Sequence, residues 1–127
     1  MRRIIARESD DQKALAQLLD TIRLNGRPLL WCHVPNEGKR DKLYAVELQR
    51  RGVKPGVLDN LIFDSPPKYP KIKGVAIELK RKTGDKPTKD QLQWIYDLEE
   101  RGWSVHICYG IDAAIEALRI EGYLHER

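Results

Sequence analysis

Val75-Ala76-Ile77-Glu78-Leu79-Lys80 is a run of strand formers broken only by two charges. Side chains alternate along a strand, so Glu78 and Lys80 project from one face. Val75 to Leu79 reads as an interior strand, where an unpaired carboxylate is costly. Downstream, Gly84 to Pro87 is a loop, and Thr88 caps a helix with Gln91 at its N3 position. Gly102 ends that helix, and Ser104 to Tyr109 reads as a second strand. A strand, a helix and a strand from Val75 to Tyr109 make a βαβ unit, expected to be a right-handed parallel crossover.

Working back toward the N-terminus, Leu58 to Phe63 is a further strand and pairs with Val75 to Lys80 as a hairpin. Their connection, Ser65 to Gly74, holds three prolines and cannot join a ladder. Ser9 and Gln12 have the form of a capping box, followed by Leu15, Leu18, Leu19 and Ile22 as one apolar stripe. Asn25-Gly26-Arg27-Pro28 stops that helix. Leu29 to Val34 is a short buried strand, Pro35-Asn36-Glu37-Gly38 a turn, and a helix runs from about Lys39 to Arg51 until Gly52. Ile111, Ala114, Ile115 and Leu118 mark a last helix. The order α-β-α-β-β-α-β-α predicts an α/β fold with one mixed sheet flanked by helices.

The chain has 127 residues, enough for one α/β domain spanning 1–127 and too few for two ordinary ones. Hydrophobic residues make up 41% and charged residues 33%, the balance of a globular protein. No run approaches the roughly 20 apolar residues of a membrane span. Met1 to Lys13 has no apolar core and does not read as a signal peptide, so a cytoplasmic location is expected. Cys32 and Cys108 fit no zinc spacing, and each sits in an apolar run, which predicts two buried free thiols. The net charge of +4 is compatible with a polyanionic partner.

If the hairpin forms, Asp59 lies near the Glu78–Lys80 end, and two carboxylates and an ammonium converge. Such a set suits Mg²⁺ or Mn²⁺, and metal-assisted phosphodiester hydrolysis needs these parts. An isolated Glu-x-Lys is more often a solvated edge or a cross-strand ion pair, and an Asp after Gly-Val-Leu can simply end a turn.

Gly-Val-Lys-Pro-Gly-Val-Leu-Asp (52–59), Glu-Leu-Lys (78–80) and Gln91-x-x-Trp94 together resemble the PD-(D/E)XK nuclease superfamily. With Val-Pro-Asn-Glu-Gly-Lys-Arg at 34–40 ahead of them, they resemble more narrowly its VRR-NUC family, over roughly residues 30 to 110. The resemblance implies a restriction-endonuclease-like fold and a metal-dependent DNA endonuclease. It implies Asp59, Glu78 and the backbone carbonyl of Leu79 as metal ligands, and Lys80 as the catalytic lysine. Glu37 is implied as an outer carboxylate holding metal-bound water or a second ion, and Gln91 as a hydrogen-bonding member of the site. Standalone phage and bacterial versions are similar to Holliday-junction resolvases in forming dimers, which implies a homodimer acting on branched DNA. The family commonly has Pro before the aspartate and an apolar residue after it. Leu58 and Asn60 stand there instead, and altered local packing is expected.

Two residues keep a structural reading beside the functional one. Gln91 is either a capping-box partner or a site residue, or both, in which case the cap is expected to be weak. Glu37 before a helix is also a favourable charge at its N-terminus.

Lys39, Arg40 and Lys42, Arg50, Arg51 and Lys54, and Arg81, Lys82, Lys86 and Lys89 crowd the same motifs, with Lys68, Lys71 and Lys73 around Tyr69 in the insertion. Charge runs are usually solvated faces; around clustered carboxylates they bring a phosphate backbone to a repulsive site without reading bases. Lys39, Arg40, Lys54, Arg81, Lys82 and Lys86 are the expected DNA contacts. His33, His106 and the three tryptophans read as core residues. The rival expectations are an inactive DNA-binding module with this fold and a monomeric flap or nicking nuclease.

Overall fold

The computed structural model describes residues 8–35, 42–81 and 84–125. Along the chain these form α1 (Glu8–Thr21), β1 (Arg23–Leu24), β2 (Arg27–Pro28), β3 (Trp31–His33), α2 (Lys42–Arg50), β4 (Asn60–Ile62), β5 (Val75–Lys80), α3 (Lys89–Glu100), β6 (Ser104–Tyr109) and α4 (Ile111–Glu121). The main sheet has the order β3-β4-β5-β6; its first two pairings are antiparallel and the β5–β6 pairing is parallel. This is the expected mixed sheet with helices on both faces.

Each β5 residue from Val75 to Leu79 is buried, as an interior strand requires. Val75, Ile77 and Leu79 point to one side and pack with Ile62, Cys108, Leu15 and Leu19 of α1, and Ala114 and Leu118 of α4. The opposite side, with Ala76, Glu78 and Lys80, is covered by α3. Thr88 and Gln91 form the anticipated capping box at its start.

Three local features depart from the sequence reading. Asn25 and Gly26 do more than end a helix. Both adopt positive φ, 54° and 78°, and turn a two-residue hairpin between β1 and β2. Ser9 lies inside α1, which begins at Glu8, and Gln12 bonds instead to a distant residue described below. Cys32 is exposed. It shares a cross-strand row with Leu61, Ala76 and Val105, on the side that α3 covers. Burial fades along that row toward the edge strand β3, away from α3. Cys108 faces the α1–α4 core and is buried as expected.

The Ser65–Gly74 connection joins the Ile62 and Val75 ends of the hairpin, opposite the end that carries Asp59 and Glu78. It is tied down at Lys68 N to Glu121 O (3.1 Å) and Lys73 N to Gly102 O (2.9 Å). Lys68, Lys71 and Lys73 are exposed there, so they flank the far end of the sheet rather than the carboxylates.

Candidate active site

Asp59 immediately precedes β4, and the Asn60↔Ile77 register sets it opposite Glu78. Its carbonyl accepts from Val34 N at 2.7 Å and from His33 Nδ1 at 2.8 Å. A carbonyl only accepts, so the His33 proton in this bond sits on Nδ1. Asp59 N–H donates to Glu78 Oε1 at 2.9 Å, and Leu79 N–H donates to Asp59 Oδ2 at 3.1 Å. Each carboxylate is thus held by a backbone N–H of the opposite strand. Both are buried, Asp59 at 9% and Glu78 at 4% exposure.

Lys80 and Gln91 complete the group. Lys80 Nζ donates to Gln91 Oε1 at 2.9 Å and lies 3.6 Å from Glu78 Oε2. Gln91 Nε2 donates to the same Glu78 oxygen at 2.9 Å. Gln91 Oε1 also accepts from Thr88 N at 2.9 Å, and Gln91 N donates to Thr88 Oγ1 at 3.1 Å. Gln91 therefore closes the capping box and also bonds to Lys80 and Glu78. The cap is made with ordinary distances, because one amide oxygen accepts both N–H groups.

Glycine at 56 lets the Asp59 loop approach α3. Its φ is +84°, and a Cβ there would lie 2.6 Å from Asp90 and 2.8 Å from Gln91 N. Trp94 Nε1 donates to Pro55 O at 3.0 Å and ties the same loop to the same helix. The Gly52–Asp59 and Gln91–Trp94 motifs are in contact for this reason.

Leu79 lies in β5 between Glu78 and Lys80 and is buried. Lys54 and Lys86 are exposed. Arg81 is exposed and pairs with Asp85 at 2.8 and 3.2 Å, a bond that holds the Asp85 carboxyl below its ordinary value. Glu37, Lys39, Arg40 and Lys82 lie outside the described residues. Among the described residues no group of three or more His, Cys, Asp or Glu is placed to hold a metal ion. The acidic donors brought together are the pair Asp59 and Glu78.

Sequence reasoning missed the place of His33 and the partners of Asn60. His33 borders the site instead of packing in the core. Asn60 is fully buried and makes a reciprocal amide pair with Gln12, at 2.8 and 3.0 Å, plus a bond to Ile77 O at 3.3 Å. Its departure from the family pattern was the available signal, and the altered packing is this tie to α1. Far from the site, His106 Nε2 donates to Glu121 Oε2 at 2.6 Å, and Ser104 Oγ donates to the same oxygen.

No protein-family model matches the sequence, and neither does any curated protein. A solved structure of a VRR_NUC domain protein superposes on 90% of this chain and 86% of its own, with a TM-score of 0.74 and 25% identity. The chain has the fold of that VRR_NUC domain protein, in line with the resemblance carried by its motifs. Its four-stranded mixed sheet with four helices is consistent with a VRR-NUC nuclease fold. No helix among the described residues is long and apolar enough to cross a membrane.

Proposed function

We propose that this chain is a VRR-NUC-type, Mg²⁺- or Mn²⁺-dependent endonuclease that hydrolyses DNA phosphodiester bonds, acting on branched DNA as a homodimer. The observation that carries the reading is the bonded group of Asp59, Glu78, Lys80 and Gln91 at one end of the sheet.

The donor chemistry fits a divalent cation. With both carboxylates ionised, Asp59, Glu78 and Lys80 sum to one net negative charge in a buried setting. Carboxylate oxygens are the hard donors that Mg²⁺ and Mn²⁺ take. Asp59 and Glu78 would hold the ion, with the Leu79 carbonyl and Glu37 as further oxygens that the family resemblance implies. When bound, it supplies Lewis-acid polarisation of the phosphate and a more acidic water.

The chain's own residues do the remainder. Lys80, aimed by Gln91, offers a donor to oxygens that gain charge during phosphoryl transfer. Gln91 holds Lys80 and Glu78 in fixed relation, so little reorganisation is needed when substrate arrives. The cross-strand backbone bonds at Asp59 and Glu78 fix the carboxylates before any ligand binds. Exposed Lys54, Arg81 and Lys86 suit phosphate contacts that position a strand and weaken with salt.

Support for a homodimer comes from α2, which has no buried residue and exposes Leu43, Tyr44 and Val46. A two-fold enzyme suits paired cuts in two strands. The deciding experiment is cleavage of labelled duplex, flap, splayed-arm and four-way-junction DNA with Mg²⁺, Mn²⁺ or EDTA, beside Lys80→Ala. Metal-dependent cutting lost in that variant supports the proposal. Binding without cutting under any metal would leave a DNA-binding module instead.

A further inference from the structure

The end of β6 carries an aromatic side chain that neither the core nor the carboxylate group uses. Tyr109 pairs with Lys80 in the parallel register, and Gly110 N–H donates to Lys80 O at 3.0 Å, keeping this end of the ladder closed. Residues in register share a face. The Tyr109 ring therefore stands one strand from Lys80, on the side that bears Glu78 and α3. It is 38% exposed, and it is the one exposed residue of β6. Among the described residues its ring makes no aromatic contact and its hydroxyl no hydrogen bond.

The neighbouring helix extends the same surface. Leu92 and Tyr96, at i and i+4 on α3, are both exposed. Trp94 reaches back to Pro55, on the β4 side of the helix. Steps of about 100° per residue then turn Leu92 and Tyr96 to the opposite flank, toward the β6 edge. An apolar and aromatic strip thus adjoins a site beside which Lys86 and Lys89 are exposed, together with Thr88 and Asp90. Phosphate beside base is what a nucleic-acid strand presents to such a surface.

A base inside a duplex has both faces covered by its neighbours, whereas an unpaired base can stack on a side chain. Strands lie roughly 5 Å apart, so a base attached at or next to the phosphate that meets Lys80 is within reach of Tyr109. We infer that Tyr109 is a stacking platform for an unpaired nucleobase beside the cut phosphodiester. The substrate class is then DNA with single-stranded nucleotides at the site, such as a splayed arm, a flap or an opened junction, in preference to continuous duplex. The inference rests on the nuclease reading above.

The test compares binding of a splayed-arm DNA, with 2-aminopurine at each unpaired position in turn, against a blunt duplex of equal length, in Ca²⁺ to hold substrate without turnover. The wild-type chain should favour the splayed arm and change 2-aminopurine fluorescence at one or two positions. Tyr109→Ala should lose that signal and about ten-fold in splayed-arm affinity, with duplex affinity and circular dichroism unchanged. Tyr109→Trp should keep both. Splayed-arm binding by Tyr109→Ala equal to wild type would overturn the inference and leave the nuclease reading intact. A wild-type chain that neither binds nor cuts any of these DNAs would overturn both.

Discussion

Asp59 and Glu78 face each other across the β4–β5 pairing, and the backbone N–H of Asp59 donates to Glu78 Oε1 at 2.9 Å. The ladder itself brings two buried carboxylates together and aligns them. Their mutual repulsion opposes folding, and the divalent cation proposed above would relieve it.

Melting temperature should therefore respond to metal. At Mg²⁺ ten-fold above its Kd, linkage gives about 1.4 kcal/mol of added stability, a rise of a few degrees against EDTA. Glu78→Gln should abolish that rise and lower cleavage at least 100-fold, while melting in EDTA no lower than wild type by more than a degree or two. A full Mg²⁺-induced shift in the variant would remove Glu78 from the proposed ligand set.

The double role of Gln91 can be divided by mutation. Thr88→Ala removes the hydroxyl end of the capping box and should cost about 1 kcal/mol, with cleavage near wild type. Gln91→Ala should cost a similar amount and also lower kcat more than ten-fold, because Lys80 and Glu78 lose the amide that holds them. Chemical denaturation beside single-turnover kinetics reads both effects. Equal kinetic losses in the two variants would mean that Gln91 acts only through the cap.

Glu121 is a stability residue by its position. His106 and Ser104 both donate to one of its buried oxygens, at the end of β6 away from Lys80. Glu121→Ala leaves those donors without an acceptor and should destabilise by about 2 kcal/mol, with metal-dependent cleavage retained at permissive temperature. Urea unfolding and a cleavage assay at 20–25 °C, roughly where such energies apply, would detect any unexpected coupling to the site.

The two thiols should behave differently. A thiol reagent at neutral pH should modify Cys32 in the native chain and reach Cys108 only after denaturation. Burial pushes the Cys108 thiol from 9.0 up to about 11, and burial also raises Tyr123. A folded pKa above the unfolded value means that the unfolded chain releases its proton first as pH rises. The stability that Cys108 contributes is complete below pH 9 and is lost as the pH climbs toward 11, and the Tyr123 contribution begins to be lost only above pH 10. Denaturant titrations at pH 8, 9.5 and 11 should show that decline, with a shallower slope in Cys108→Ala.

The legible parts of the chain were those whose signals are local. Thr88 and Gln91 form their cap because the capping box spans only four residues. Alternation made the β5 strand readable, and the Asp59, Glu78, Lys80 and Gln91 motif was readable through its resemblance to a family pattern with the same order of residues. Other relationships depended on partners far away in sequence. Gln12 reaches across 48 positions to Asn60, and Ser104 and His106 meet Glu121 only once α4 folds back on β6.

By itself, the sequence determined the order and kind of the main elements, because backbone periodicity, caps and turns are short-range and set by side-chain chemistry, and its resemblance to a nuclease family nominated the residues of the site. Tertiary structure alone decided that Cys32 is exposed, that Asn60 is tied to α1, that the lysine-bearing insertion lies at the far end of the sheet, and that Tyr109 stands beside Lys80. Each of those follows from strand register and from which helix covers which face. Register is settled by the packing of the whole sheet at once, since a slip of one residue would turn every side chain of a strand to the other side.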